Sequence, residues 1–296
     1  MTTAPPSNEA RPAYGSAREA FDELCTLLTP VRQGTLFYSG EAPLVDWGVP
    51  YGGLLVGQAL AAAADTVPEG QWVRSLHAYF LQVGRGDESV DIEVRPVHAG
   101  RSSSWRTIEV LQRERLLLRM DAMFGADGQG PMHQAPMPPA PAPESLPNIG
   151  TQLSSYSDTF RPWDERSPFD LRYVSTPPRL QDGAGAEAAS RVWLGPAGTP
   201  PRDRALAAAL LAYSTDMCLL DACIRPHGLW FGQSASGFSL DHSIWFHAPA
   251  RVDDWLLLDQ RSPGQRDGRG LSNAQLFARD GELLCSVAQL GSIRPT

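Results

Sequence analysis

Residues 204–224, RALAAALLAYSTDMCLLDACI, decide the fold. Ala205–Tyr213 is an unbroken apolar run of nine residues rich in Ala and Leu. Such a run favours helix, and a helix that is apolar all round has to be covered on every side. Thr199, Pro200 and Pro201 supply its start signals. A second helix of the same kind is expected at Gly52–Val67 (GGLLVGQALAAAADTV), where Gln58 is the one polar side chain before Asp65.

Four strand-like segments follow each helix: about 72–83, 88–97, 103–112 and 115–124 in the first half, and about 236–248, 254–262, 270–279 and 282–294 in the second. Short identities recur in the same order. Ser75-Leu76 matches Ser239-Leu240, Gly100-Arg101 matches Gly268-Arg269, and Arg113, Leu117 and Gly125 match Arg279, Leu283 and Gly291. Shared order at a nearly constant offset points to an internal duplication. A buried helix enclosed by an antiparallel sheet is the hotdog arrangement, so the expected class is α+β, a double hotdog of two tandem repeats. Residues 131–147 carry seven prolines in seventeen positions, which rules out a central strand or helix there. The expected organisation is a flexible tail at 1–15, one hotdog at 16–130, a Pro-rich linker at 131–150 and a second hotdog at 151–296.

The 296 residues are 42% hydrophobic, enough for a real core. The formal net charge of -8 disfavours a nucleic-acid partner. All 25 basic residues are arginine. Without lysine there is no Walker A loop and no Schiff-base chemistry. Cys25, Cys218, Cys223 and Cys285 form no C-x-x-C pair, and no H-E-x-x-H occurs. No disulfide framework, metal or other cofactor is expected. The polar start (MTTAPPSNEARPAYGS) lacks the pattern of a signal peptide, and no stretch suits a membrane span. The expectation is a soluble cytosolic protein with no membrane partner.

Asp216 stands out because a carboxylate directly after nine apolar residues is costly to bury unless it is bonded. It reads equally as a satisfied structural group or as a functional one. Gln289 lies in the last strand (LLCSVAQLG), opposite Met123 in the first half (LLRMDAMFG), so the repeat does not require a polar residue there. Ser239 opens SLDHSIWFH. Each of these two, taken alone, is better explained as structural. Gly52-Gly53 opens the first helix, where backbone N–H groups favour negative charge, although a tight turn explains two glycines as well. His77, Asp241 and His242 are strand residues, and a strand histidine is commonly structural. G-x-S-x-G is absent, which argues against an α/β-hydrolase.

YGGLLVGQAL (51–60), VRSLHAYFLQVG (73–84), LLAYSTDMCLLDACIRPHG (210–228), SLDHSIWFHAP (239–249) and CSVAQLGSIRP (285–295) together resemble the type II acyl-CoA thioesterases, a double-hotdog family. The resemblance spans both halves. It implies hydrolysis of an acyl-CoA to a free acid and CoA. Carried over residue by residue, the family's catalytic trio falls on Asp216, Ser239 and Gln289, with Asp216 as general base for a water that Ser239 and Gln289 orient. It places Gly52 and Gly53 as backbone donors to the carbonyl oxygen and His77 at a family position, all three as substrate-binding candidates. Leu54 and Leu290 stand where many members carry polar residues. The final Arg294-Pro295-Thr296 is not a peroxisomal signal.

Two other readings compete. A hydratase of this fold would use an Asp and a His such as Asp221 and His227, but the Gly-Asp-x-Asn-Pro pattern is missing. A non-catalytic acyl-CoA binding protein would have no need of the trio. Arg261, Arg266 and Arg269 are candidates for the CoA phosphates, with a solvated face as the plainer explanation. Open sheet edges lead us to expect a homo-oligomer.

Overall fold

The two apolar helices are covered by one continuous antiparallel sheet. The computed structural model describes residues 16–43, 48–85, 88–154, 167–200, 202–231 and 234–296. The expected tail at 1–15 and the start signal Pro201 lie outside the described residues. The first half contains α1 (Ala17–Leu27), β1 (Val31–Arg32), β2 (Phe37–Gly40), α2 (Gly52–Ala64), β3 (Gln71–Phe80), β4 (Val90–Ala99), β5 (Ser103–Gln112) and β6 (Arg115–Ala126). The second contains α3 (Ile149–Gln152), β7 (Phe169–Tyr173), β8 (Ala189–Pro196), α4 (Arg204–Thr215), α5 (Asp221–Ile224), β9 (Ala235–Ser239), β10 (Asp241–Phe246), β11 (Leu256–Arg266), β12 (Arg269–Ala278) and β13 (Leu283–Pro295).

The strand order is β1-β2-β4-β5-β6-β3-β10-β13-β12-β11-β8-β7, with β9 added on β13. The halves meet at the antiparallel β3–β10 seam, where His77 faces Ser243. Outward from that seam the order 3-6-5-4-2 repeats as 10-13-12-11-8, which is the double hotdog arrangement. The strands β1, β2, β7 and β8 were not among the eight segments expected.

Helices α2 and α4 lie antiparallel against each other, and glycine permits the approach. A Cβ at Gly53 would sit 2.8 Å from the Tyr213 carbonyl oxygen, and one at Gly57 would sit 3.1 Å from that of Ala209. The remaining faces press on the sheet, so that Leu60, Leu210 and Leu211 are wholly buried in a core shared by both halves. Each such leucine contributes about 1.5–3 kcal/mol of burial.

The single helix expected over 204–224 is broken. It ends at Thr215, with Asp216 as C-cap, and resumes only at Asp221. The hydroxyls of Ser214 and Thr215 approach the Leu211 and Ala212 carbonyls, local bonding that competes with helix propagation. The strand expected at 236–248 is also broken, at Leu240. Residues 127–142 have no regular structure and run along the second half: Trp193 Nε1 donates to the Pro141 carbonyl at 2.9 Å, and Met137 and Ala140 pack on the Trp193–Phe277 cluster.

Candidate active site

Asp216 ends α4 at the point where α2 begins, because the two helices are antiparallel. The Gly53 N–H, in the first turn of α2, donates to its carboxylate. The positive end of the α2 dipole therefore faces an acidic side chain. Tyr51, the N-cap of α2, donates its hydroxyl to the Tyr213 carbonyl at 3.0 Å and so satisfies one of the last carbonyls of α4.

Ser239 and Gln289 meet Asp216 from the sheet side. Ser239 Oγ donates to Asp216 Oδ1 at 3.1 Å, and Gln289 Nε2 donates to the same oxygen at 2.9 Å. Gln289 Nε2 also donates to Ser239 Oγ. Three residues from three elements thus converge on one point. The broken strand makes this possible. Ser239 pairs with Gly291 in β9, whereas Asp241 pairs with Tyr79 in β10. The Asp241 carboxylate takes the Leu290 N–H at 2.8 Å across the break. Side chains three residues apart point to opposite faces of a regular strand. The break turns both Ser239 and His242 inward.

His242 is the residue whose part was missed. It is fully buried and bridges Gln289 Oε1 at 2.8 Å through Nδ1 and Thr215 Oγ1 at 3.0 Å through Nε2. Gln289 Oε1 can only accept, so Nδ1 carries a proton. Burial lowers the His242 pKa, against the opposing charge of Asp216. Its signal was the alternation of Asp241–Phe246, which buries the even positions.

Burial pushes the Asp216 carboxyl above its ordinary range, while His242, the Gln289 and Ser239 donors and the Gly53 N–H pull it back down. The carboxyl thus gives up its proton less readily than an exposed one yet keeps donors for its charged form. Asp216, Ser239, Gln289 and Gly52 line one cavity of about 890 Å³, walled largely by apolar side chains such as Leu55, Phe80, Leu219 and Phe238. Gly53 spends its N–H on Asp216, whereas the Gly52 N–H has no acceptor among the described residues.

Other candidates lie elsewhere. His77 is exposed on the outer face of β3, where it contacts Ser243 at 3.1 Å and the Trp245 ring, because its neighbours Leu76 and Ala78 take the inward positions. Arg261, Arg266 and Arg269 are exposed around the β11–β12 hairpin, and none lines the cavity. Asp221 and His227 form no pair: Asp221 is buried and accepts from Tyr173 Oη at 2.7 Å, while His227 is exposed. Met123 faces outward, and its inward neighbour Ala122 holds the place equivalent to Gln289. At the far end of α2 its own C-cap, Asp65, is exposed and held by Arg32 and Tyr38. The first half therefore has the acid but no glutamine beside it. Among the described residues, no group of three His, Cys, Asp or Glu side chains is placed to hold a metal ion.

Comparison with known proteins agrees with this architecture. The acyl-CoA thioesterase family model matches residues 164–292, and the acyl-CoA thioesterase N-terminal domain model matches residues 42–125. Acyl-CoA thioesterase 2 of Haemophilus influenzae is 31% identical over 93% of this chain and 98% of its own. Acyl-coenzyme A thioesterase 8 of Homo sapiens is 33% identical over 82% of this chain and 80% of its own. Among solved structures, the tesB protein of Mycobacterium avium subs paratuberculosis superposes with a TM-score of 0.78 at 28% identity, covering 93% of this chain and all of that one. The acyl-CoA thioesterase II TesB2 of Mycobacterium marinum gives 0.74 at 30% identity, over 94% and 98%. The chain belongs to the acyl-CoA thioesterase family, thioester hydrolases built here on a double hotdog.

Proposed function

We propose that the protein hydrolyses an acyl-CoA to a free acid and CoA, with Asp216, Ser239 and Gln289 orienting the attacking water. The observation that carries this reading is the meeting of these three side chains, within 3.1 Å of one another, at the wall of a largely apolar cavity. Asp216 takes a proton from the water as its oxygen adds to the thioester carbonyl carbon. Ser239 and Gln289 hold that water in line. The Gly52 N–H, at the start of α2, faces the carbonyl oxygen as it becomes negative. The tetrahedral intermediate then breaks its C–S bond, and the proton held by Asp216 passes to the departing thiolate. His242 makes no contact with substrate in this scheme. It fixes the amide of Gln289, so that nitrogen and not oxygen faces Asp216.

The buried Asp221 and exposed His227 leave the hydratase reading without a dyad. The experiment is a panel of acyl-CoA substrates assayed for free thiol. Thiol release supports hydrolysis. A change in enoyl absorbance without thiol, or binding with no turnover, overturns it.

A cytosolic location and self-association belong to the same reading. The first rests on four free cysteines and the second on the open edges β1 and β7. Among the described residues, no helix is long and apolar enough to cross a membrane. Light scattering at micromolar concentration is expected to give more than the monomer mass.

A further inference from the structure

The cavity holds a second acidic group that hydrolysis does not use. Asp221 opens α5, five residues beyond Asp216, and lines the same cavity as the trio. It is only 8% exposed. Its Oδ2 accepts from Tyr173 Oη at 2.7 Å. Its Oδ1 has no donor among the described residues. Arg225, whose charge reaches Asp221, is tied through Nη1 to the Thr176 carbonyl. A carboxyl group at an apolar wall leaves an oxygen without a donor to be served by whatever enters the cavity. Ile149, Leu153, Leu220 and Ile224 line the same cavity and suit a hydrocarbon chain, with Arg179 the one basic side chain among the lining residues.

We propose that Asp221, held by Tyr173, is a specificity subsite for a hydroxyl group carried on the acyl chain of the substrate. The proposal rests on the thioesterase reading for the identity of the ligand and goes beyond it in naming the acyl class. A hydroxyl donates to Asp221 Oδ1 and is uncharged, so it enters an apolar cavity at little cost. A plain chain leaves that oxygen unpaired. A site built to bond a substrate hydroxyl discriminates strongly against the analogue that lacks it. The pantetheine arm of CoA also carries donors, so the test separates the two sources.

The experiment compares acyl-CoA chains of one length, plain or with a single hydroxyl moved along the chain, in the wild type, Asp221→Asn and Asp221→Leu. Asn retains the shape and an acceptor oxygen, which guards against a folding defect. At one position the wild type is expected to favour the hydroxylated chain by about tenfold or more in kcat/KM. In Asp221→Leu that ratio falls to about one, and in Asp221→Asn it is intermediate. The same pairs are measured for binding as non-hydrolysable thioether analogues. Discrimination in binding without any turnover retains the subsite and overturns the hydrolysis reading. Turnover with no preferred position, or a preference unchanged in Asp221→Leu, overturns the subsite. An equal loss for every CoA substrate assigns Asp221 to the pantetheine arm and also overturns it.

Discussion

The Asp216 carboxylate, at the last turn of one buried helix, accepts the N–H of Gly53, in the first turn of the other. This bond exists because α2 and α4 run antiparallel at a separation only glycine allows. It joins the two repeats at the candidate active site: one repeat supplies the acid, and the other supplies the dipole that stabilises its charge.

Gly53→Ala tests that separation. The new Cβ would lie 2.6 Å from Tyr51 Cε1 and 2.8 Å from the Tyr213 carbonyl oxygen. Backbone cannot yield as a side-chain tip does, so the helices must part. We expect a loss of about 1–3 kcal/mol in denaturant unfolding, together with lower thioester hydrolysis.

Removing the trio one member at a time should cost rate with little change in fold. Asp216→Asn is expected to abolish measurable thiol release. Ser239→Ala and Gln289→Ala are each expected to lower kcat by about 10²-fold or more. Circular dichroism checks folding. Near-wild-type rates in the last two would remove both residues from the mechanism.

The pH profile reports on the same carboxyl. In the proposed mechanism Asp216 must be ionised to act as base, and burial sets its pKa above the ordinary range. Activity should therefore fall as pH drops, with its midpoint above that of an exposed aspartate. The hydrogen bond from Gln289 favours the charged form, so its loss raises the pKa further. The residual activity of Gln289→Leu should show its acid limb at higher pH than the wild type.

Asp221 should mark the stability of the fold. Burial pushes its carboxyl up to about 7, opposed by the Tyr173 hydrogen bond and the Arg225 charge. From about pH 4 to about pH 7 the unfolded chain has lost this proton while the folded protein keeps it, so stability from this group declines as pH rises through that window. Asp221→Asn has no such proton. Its unfolding free energy relative to the wild type should rise across the window and level off above it. A constant difference in urea titrations from pH 4 to 8 would refute this.

Much of the molecule was legible in residue types. The runs Ala205–Tyr213 and Gly52–Ala64 need cover on every side, and the strands at β4, β5, β12 and β13 show their alternation plainly. The register of the repeat was less legible. Paired by identity, Gln289 aligns with Met123, but inward-facing strand positions pair it with Ala122. An error of one residue turns a side chain to the other face. His77 misled for the same reason: a histidine in a strand looks alike from either side of a sheet.

Local chemistry along the chain was enough to determine that two helices would be buried, that a duplication underlies them, and that Asp216, Ser239 and Gln289 merit notice. Only the tertiary structure decided that these three meet, that His242 stands behind Gln289, and that His77 faces away. Burial of an apolar run follows from its own composition. The meeting of residues 216, 239 and 289 depends on helix separation and on a break at Leu240, and both are set by pairings between strands and helices far apart in the chain.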